Sequence, residues 1–191
     1  SSAERVGIVV CGRRTVYADS LLEYARGRHM ASRVDFIYEL SPDDLPALFR
    51  LAHAFVYLPD AGIEASIVPV VEAMRAGVPM VLSDTQLNRE AAGDAAAYVR
   101  PEAAGEVAAA LENVLSDVNF RREMKARERR RAELFSEYAV ARRLIDFLSG
   151  VAYAQDGKIR RVASATYIIT PFNVDLMGDQ LDDMESGEFH L

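Results

Sequence analysis

The chain has 191 residues, of which 50% are hydrophobic and 27% are charged, a composition ordinary for a soluble globular protein. It contains no apolar run of about 18 residues, which argues against a membrane-spanning helix, and residues 1–12 lack the order of regions found in a signal peptide. The net charge of −7 argues against general nucleic-acid binding. The lone Cys11 permits no internal disulfide, fits a reducing, cytoplasmic compartment and, at the end of an apolar strand, is interpreted as a packed thiol.

The first hundred residues alternate between short apolar runs and segments with helical spacing. Ser41 and Pro42 indicate a helix start, with the serine as its cap, and Gly77 indicates a helix end. The alternation predicts an α/β fold with a doubly wound, Rossmann-like parallel sheet. The predicted strands are 5–12, 33–38, 54–58, 78–82 and 95–100, and the predicted helices are 16–26, 42–53, 68–76 and a short turn near 88–91.

The remainder of the chain is predicted to be helical over 106–115, 120–135 and 138–148, and to change character at Gly150. We therefore expect a first domain over residues 1–150 and a second segment over 151–191. The second segment is predicted to form a hairpin over 151–170, with its turn at 155–157, followed by an acidic tail. The tail either completes the sheet or docks on a partner.

Two carboxylates, Glu64 and Glu72, stand eight residues apart around the third predicted strand-helix connection. Glu64 lies in a loop and Glu72 in the helix that follows it. Ligands of open α/β sheets bind outside the carboxyl ends of the strands, so both side chains are expected to face one crevice.

An ordered series of motifs surrounds this pair. It comprises Asp44-Leu-Pro-Ala-Leu-Phe-Arg-Leu-Ala-His-Ala-Phe-Val, then Glu64-x7-Glu72-Ala-Met, then Ala76-Gly-Val-Pro-Met-Val-Leu-Ser-Asp, then Arg89-Glu-x-x-Gly-Asp, and finally Phe135-Ser-Glu-Tyr. The series resembles the C-terminal, donor-binding domain of GT-B fold glycosyltransferases of family 4. The resemblance covers residues 5–148.

The resemblance implies transfer of a sugar, with retention, from a nucleoside-diphosphate sugar to a glycan or lipid-linked acceptor, without a cofactor or a metal. It implies that Glu64 contacts the donor sugar, with a catalytic role, and that Glu72 holds the ribose hydroxyls. The phosphates would meet backbone amides at the start of the 68–76 helix, aided by its dipole. The base would lie near the end of the second strand, beside Tyr38, Glu39 and Leu40.

Two departures from the family pattern concern donor binding. The usual Glu-Gly-Phe-Gly reads Glu64-Ala65-Ser66-Ile67, so side chains narrow the space that glycines leave open. Ser66 is expected to supply a hydroxyl donor there, beside Ile67 and Val68. The family's Gly-Arg and Lys phosphate clamp is also missing; Gly12, Arg13 and the neighbouring Arg14 either substitute for it or are exposed residues without that role.

A third departure concerns the sheet, because the first strand here matches the family's second strand. The missing strand is central in the family's order, between the first and third strands of this chain, and the N-terminal acceptor domain is absent as well. Unpaired strand edges in a core are unfavourable. We expect the gap to be filled by an N-terminal GT-B domain, by another chain, or by residues 163–170.

Two further interpretations remain open. Residues 121–143 carry nine basic and four acidic side chains, which favours a solvated helix face over peripheral contact with the inner face of a membrane. The three histidines are scattered, so no metal site is expected.

The alternative function is a non-catalytic nucleotide-sugar-binding or scaffold module, favoured by the altered loop and the missing basic clamp.

Overall fold

The computed structural model describes residues 6–59, 66–162, 166–171 and 173–174. The chain divides into two compact units, Ser1–Arg129 and Arg130–Leu191. The predicted boundary at Gly150 therefore falls inside the second unit. None of the helices among the described residues is both long and apolar enough to cross a membrane.

The first unit has the predicted alternation of strands and helices. The helix predicted over residues 42–53 begins later, at Leu45. Ser41 accepts a hydrogen bond from the Asp43 amide in a turn that precedes this helix, so the predicted serine cap is wrong and lies about one turn before the helix start. The elements are β1 (Ile8–Cys11), α1 (Val16–Gly27), β2 (Val34–Ile37), α2 (Leu45–Leu51), β3 (Phe55–Tyr57), α3 (Val68–Ala76), β4 (Met80–Ser83), α4 (Gln86–Ala92), β5 (Ala97–Val99), α5 (Ala104–Ser116) and α6 (Val118–Ala132).

The parallel strands form two separate sheets. β1 pairs with β2 in the register Ile8 to Val34. β3 pairs with β4, and β4 with β5, so the second sheet has the order β3-β4-β5. Within the described residues β1 and β3 do not pair, which agrees with the predicted gap between them.

The core of the first unit is built around β4, whose four residues are all buried. Val81 packs in a cluster with Val99, Val114 and Met124, from β5, α5 and α6. Side chains alternate across a strand, so Met80 and Leu82 face the other side of the sheet. There α3 and α4 contribute fully or almost fully buried residues, namely Val70, Ala73, Met74, Ala91 and Ala92.

The strand edges at the gap are far less buried than β4. Ile8 and Val9 of β1 are each 48% exposed, and Val56 of β3 is 41% exposed. Cys11 is also exposed, so the prediction of a packed thiol is wrong, although partial burial raises the pKa of its thiol above the usual value. Parallel sheets are normally covered on both faces, and these apolar strands are not.

The second unit consists of a helix and a two-stranded hairpin. A 3-10 turn (Glu133–Phe135) leads into α7 (Glu137–Ala154), and β6 (Lys158–Arg161) pairs antiparallel with β7 (Tyr167–Thr170). α7 continues through Gly150 to Ala154. Residues 155–157 therefore end the helix, and the prediction that they form the turn of the hairpin is wrong. The β-like run considered for the central strand of the sheet supplies β7 instead.

Two faces of α7 carry apolar side chains. Ser136 caps the helix by accepting a hydrogen bond from the Ala139 amide at 3.2 Å. One face holds Ala152, which is buried. Another face presents an exposed row with spacings of four, three and four residues, formed by Val140, Leu144, Phe147 and Val151. The predicted acidic tail falls almost entirely on residues outside the described part of the chain.

Glu128 is a buried carboxyl on α6, one turn after Met124 of the core cluster. Its side chain is fully buried, and neither of its oxygens has a hydrogen-bond partner among the described residues. Burial raises the pKa of Glu128 to about 8, although the nearby Lys125 acts in the opposite direction. The carboxyl is therefore largely protonated in the folded chain near neutral pH.

A Glu128→Gln substitution should remove a pH-dependent loss of stability. The folded state binds this proton more tightly than the unfolded state, so the free energy of unfolding falls as the pH rises from 4.5 to about 8. The slope from one such group is at most about 1.4 kcal/mol per pH unit. We expect E128Q to lack this slope and to unfold at higher urea concentration than the parent at about pH 8. Urea unfolding of the full chain, followed by circular dichroism at several pH values, measures this.

Glu123→Gln is the matched control, since Glu123 lies on the same helix but is exposed. It should keep the pH dependence of the parent chain. An E128Q variant whose stability falls with pH as steeply as that of the parent would contradict the assignment of a buried, protonated carboxyl.

Candidate donor site

The first group of predicted site residues lies where β1 and β2 end. The amide of Gly12 donates to the Ile37 carbonyl at 3.2 Å, which places the residues after β1 beside those after β2. Arg14 lies over the Tyr38 ring at 5.7 Å and forms an ion pair with Asp19. The structure thus brings together, at one sheet edge, the predicted Gly12, Arg13, Tyr38, Glu39 and Leu40.

Within this group the guanidinium that contacts the aromatic ring is that of Arg14 rather than Arg13. Arg13 is exposed. The Tyr38 hydroxyl is buried and has no hydrogen-bond partner among the described residues. The edge therefore carries an aromatic ring beside two arginines, whereas the hydroxyl of that ring is shielded from solvent.

The second group lies at the start of α3. Glu64, the predicted sugar-side residue, falls in the segment 60–65, outside the described residues. Ser66, Ile67 and Val68 lead into the helix, and Gly77 ends it as predicted, in a left-handed conformation at φ 68°.

Side chains already satisfy part of the α3 N-terminus. The Ser66 hydroxyl accepts a hydrogen bond from the Val68 amide at 3.2 Å, and the Tyr57 hydroxyl accepts one from the Ser66 amide at 3.3 Å. Pro69 has no amide hydrogen. Among the described residues, the amides of Ile67 and Val70 have no acceptor, so these two can serve an anion at this end.

Glu72 lies in the second turn of α3 and is half-buried. It stands four residues after Val68, so the two side chains share a helix face. Helical side chains tilt toward the N-terminus, which directs the Glu72 carboxylate along this face toward the open amides. In the described part of the chain, Glu72 has neither a hydrogen-bond nor an ion-pair partner. A free carboxylate can accept two hydrogen bonds from a vicinal diol.

A buried polar network, which the sequence analysis missed, lies beside this site. The Ser83 hydroxyl, at the end of β4, donates to the Pro59 carbonyl at 2.9 Å. The Asn88 amide group donates to the Ser83 carbonyl at 2.9 Å and to its hydroxyl at 3.0 Å. Ser83 and Asn88 are both fully buried. The one sequence signal was a serine closing an otherwise apolar strand.

Asp84 and Arg89 form an exposed pair at the same end of the sheet. Two hydrogen bonds join the Arg89 guanidinium to the Asp84 carboxylate, and the guanidinium lies 4.4 Å from the centre of the Tyr98 ring. The Arg89 hydrogen bonds hold the pKa of Asp84 below its usual value. Glu90, the next residue on α4, is exposed and accepts a hydrogen bond from Gln86 at 2.7 Å.

Two surface cavities lie away from both groups. One, of about 360 Å³, runs along α6 beside Arg122 and Lys125. The other, of about 440 Å³, lies between α1 and β2, beside Tyr24 and Val34. In the described ranges, no group of three or more histidine, cysteine or acidic side chains is arranged to hold a metal ion.

Residues 2–131 match the family model described as glycosyl transferases group 1, which covers more than half of the chain. The chain belongs to this family. It is 34% identical over 108 residues to the O-antigen chain mannosyltransferase RfbU of Salmonella typhimurium, an alignment that covers 56% of this chain and 30% of RfbU. The chain thus spans less than a third of that relative.

Solved structures share the fold at low identity. The Anabaena protein Alr3699/HepE, solved with UDP, has a TM-score of 0.68 and 18% identity over 76% of this chain and 41% of its own. WaaG, a glycosyltransferase involved in lipopolysaccharide biosynthesis, has a TM-score of 0.55 and 19% identity over 66% of this chain and 34% of its own. The first unit has the predicted α/β fold with parallel sheets, that of one half of a GT-B glycosyltransferase.

A second family model, described as cell division protein SepF, matches residues 133–176. SepF of Acetivibrio thermocellus is 51% identical over 45 residues, which cover 24% of this chain and 29% of that protein. This likeness was not predicted from the sequence, and the predicted domain boundary at Gly150 lies in the middle of the matching segment.

Proposed function

We propose that the first unit is the donor-binding part of a glycosyltransferase that transfers a sugar, with retention, from a nucleoside-diphosphate sugar. The observation that carries this proposal is the half-buried Glu72 carboxylate, which has no partner among the described residues. It lies on the helix face that leads to the amides of Ile67 and Val70, which have no acceptor in the same part of the chain. A ribose diol at Glu72 and a phosphate at these amides fit one nucleotide. The family membership and the UDP bound to the HepE protein support the same reading.

The protein's part in this chemistry is binding and electrostatic stabilisation. The helix dipole and the two amides favour the negative charge that develops on the leaving diphosphate. The Ser66 hydroxyl hydrogen is available to donate to the ligand, because in its bond with the Val68 amide the oxygen acts as the acceptor. Glu64 is assigned to the donor sugar. The acceptor is a glycan or lipid-linked molecule at the cytoplasmic face of a membrane, in keeping with the O-antigen relative.

A pair of substitutions separates the roles of the two carboxylates. Glu72→Ala should weaken binding of a bare nucleoside diphosphate by about tenfold, the loss expected for two hydrogen bonds to a charged group in a partly exposed site. Glu64→Ala should leave that affinity near the parent value and reduce discrimination among nucleotide sugars. Calorimetric titration with ADP, GDP, UDP and their sugar conjugates measures both.

Glu112→Ala is the control, since Glu112 is exposed and lies on α5 rather than α3. Its titrations should match those of the parent. Equal loss of diphosphate affinity in E72A and E64A would contradict the assignment of roles. If no nucleoside diphosphate binds the protein with its sheet completed, the donor-site proposal fails and the non-catalytic alternative replaces it.

We also propose that a strand equivalent to the first strand of the family's donor-binding domain lies between β1 and β3, supplied from outside the described residues. Each of these strands is paired on one side alone in the described residues, and their apolar side chains Ile8, Val9 and Val56 are 41–48% exposed. A further parallel strand would pair both edges and cover these side chains.

Cys11 provides a reporter for this strand, because it is exposed at the end of β1. Co-expression with a segment of the RfbU relative that comprises its acceptor half and the first strand of its donor-binding domain should yield a complex in which maleimide modifies Cys11 about tenfold more slowly. Cys11→Ser should show no modification at this site. A stable complex that leaves the modification rate of Cys11 unchanged would place the contact elsewhere and contradict the proposal.

For the second unit we propose a separate role in cell division, supported by its likeness to SepF. The exposed apolar row on α7 is the type of surface that associates with a partner protein.

A fluorescent fusion of the full chain, expressed in a bacterium that has its own SepF, should concentrate at the division plane. Leu144→Glu, in the apolar row, should abolish this pattern, whereas Arg142→Glu, an exposed position outside the row, should keep it. Diffuse fluorescence of the unsubstituted fusion would contradict the proposal.

A further inference from the structure

The connection between β3 and α3 is held at both of its described ends by side chains of the sheet. At the first end, the Pro59 carbonyl accepts a hydrogen bond from the Ser83 hydroxyl at 2.9 Å. At the second end, the Ser66 amide donates to the Tyr57 hydroxyl at 3.3 Å. Ser83 closes β4 and Tyr57 closes β3, so two adjacent strands provide the two anchors.

The first anchor is fixed by a second buried side chain. Asn88 donates to both the carbonyl and the hydroxyl oxygen of Ser83, and both residues are fully buried. A hydroxyl that accepts from Asn88 must direct its own hydrogen elsewhere, and Pro59 is its acceptor. Asn88 therefore sets the direction in which Ser83 donates.

The second anchor continues into the helix. The Ser66 amide is bound to Tyr57, and the Ser66 hydroxyl accepts from the Val68 amide. The chain of bonds from Tyr57 through Ser66 to Val68 connects the end of β3 with the first turn of α3. This turn carries the open amide of Val70, and Glu72 follows on the next turn.

We propose that Ser83 and Tyr57, with Asn88 behind Ser83, are positioning residues that fix Pro59 and Ser66 and thereby the first turn of α3 for donor binding. None of the three needs to touch the ligand. This inference rests on the proposed donor site for its functional part, whereas the anchoring itself can be measured without a ligand.

Hydrogen exchange of the full chain, followed by mass spectrometry, tests the anchoring. Ser83→Ala and Tyr57→Phe should each accelerate exchange in peptides that cover residues 66–70 by about threefold to tenfold, the range expected for the loss of one hydrogen bond. Exchange in α5 should stay at the parent rate. Ser83→Thr, which keeps the hydroxyl, should restore slow exchange.

Matched controls remove a hydroxyl elsewhere. Ser116→Ala removes a hydroxyl that donates to the Glu112 carbonyl on α5, and Tyr17→Phe removes an exposed phenol on α1. Neither should change exchange at residues 66–70. Parent-like exchange there in both S83A and Y57F would overturn the positioning role, whatever the chain binds.

Titration of the same variants with ADP, GDP and UDP tests the functional part. The variants that accelerate exchange should bind the diphosphate that the parent chain binds with an affinity lower by about threefold to tenfold. Ser83→Thr should restore the affinity of the parent chain. Faster exchange with unchanged diphosphate affinity would overturn the role in donor binding. Faster exchange in a chain whose parent binds none of the three, with its sheet completed, would support the anchoring and overturn the proposed function.

Discussion

A parallel strand is stable when both of its edges are paired and both of its faces are covered, and this requirement organises the first unit. β4 meets it fully: it pairs with β3 and β5, and all four of its residues are buried. β1 and β3 meet it on one side alone within the described residues. The polar groups of the candidate site follow the ends of these same strands. The site residues that follow β4 are therefore held by a fully paired strand, whereas those that follow β1 and β3 are held by strands paired on one side among the described residues.

Most elements of the first unit could be predicted because their local signals agree with their packing. α3 is an example, since Gly77 ends it in a left-handed conformation and its apolar residues face β4. The start of α2 was misplaced because Ser41 caps a preceding turn rather than the helix. The end of α7 was misplaced because Gly150 lies within the helix, where its cost of about 1 kcal/mol relative to alanine is tolerated.

The candidate site was predictable where a residue acts through its own charge, and less so where it acts through a neighbour. Glu72 was predicted as a site residue because it stands eight residues after Glu64 within an ordered series of motifs that resembles a known family. Ser83 and Asn88 have ordinary neighbours, and their importance depends on complete burial and on a carbonyl 24 residues away along the chain. A buried polar pair of this kind stabilises only when its hydrogen bonds are made, so its partners must be known before its role can be recognised.

The loop before α3 lacks the glycines of related donor sites, yet its polar groups still leave donors for an anion. The Tyr57 hydroxyl occupies the Ser66 amide, and the Ser66 oxygen occupies the Val68 amide. The Ser66 hydroxyl hydrogen remains available, as do the amides of Ile67 and Val70 among the described residues. The Ser66 oxygen accepts from the first amide of the helix and keeps its own hydrogen to donate; under the proposed function this donor replaces part of what close backbone approach provides in a glycine-rich loop. The altered loop is therefore compatible with phosphate binding, through a different set of donors.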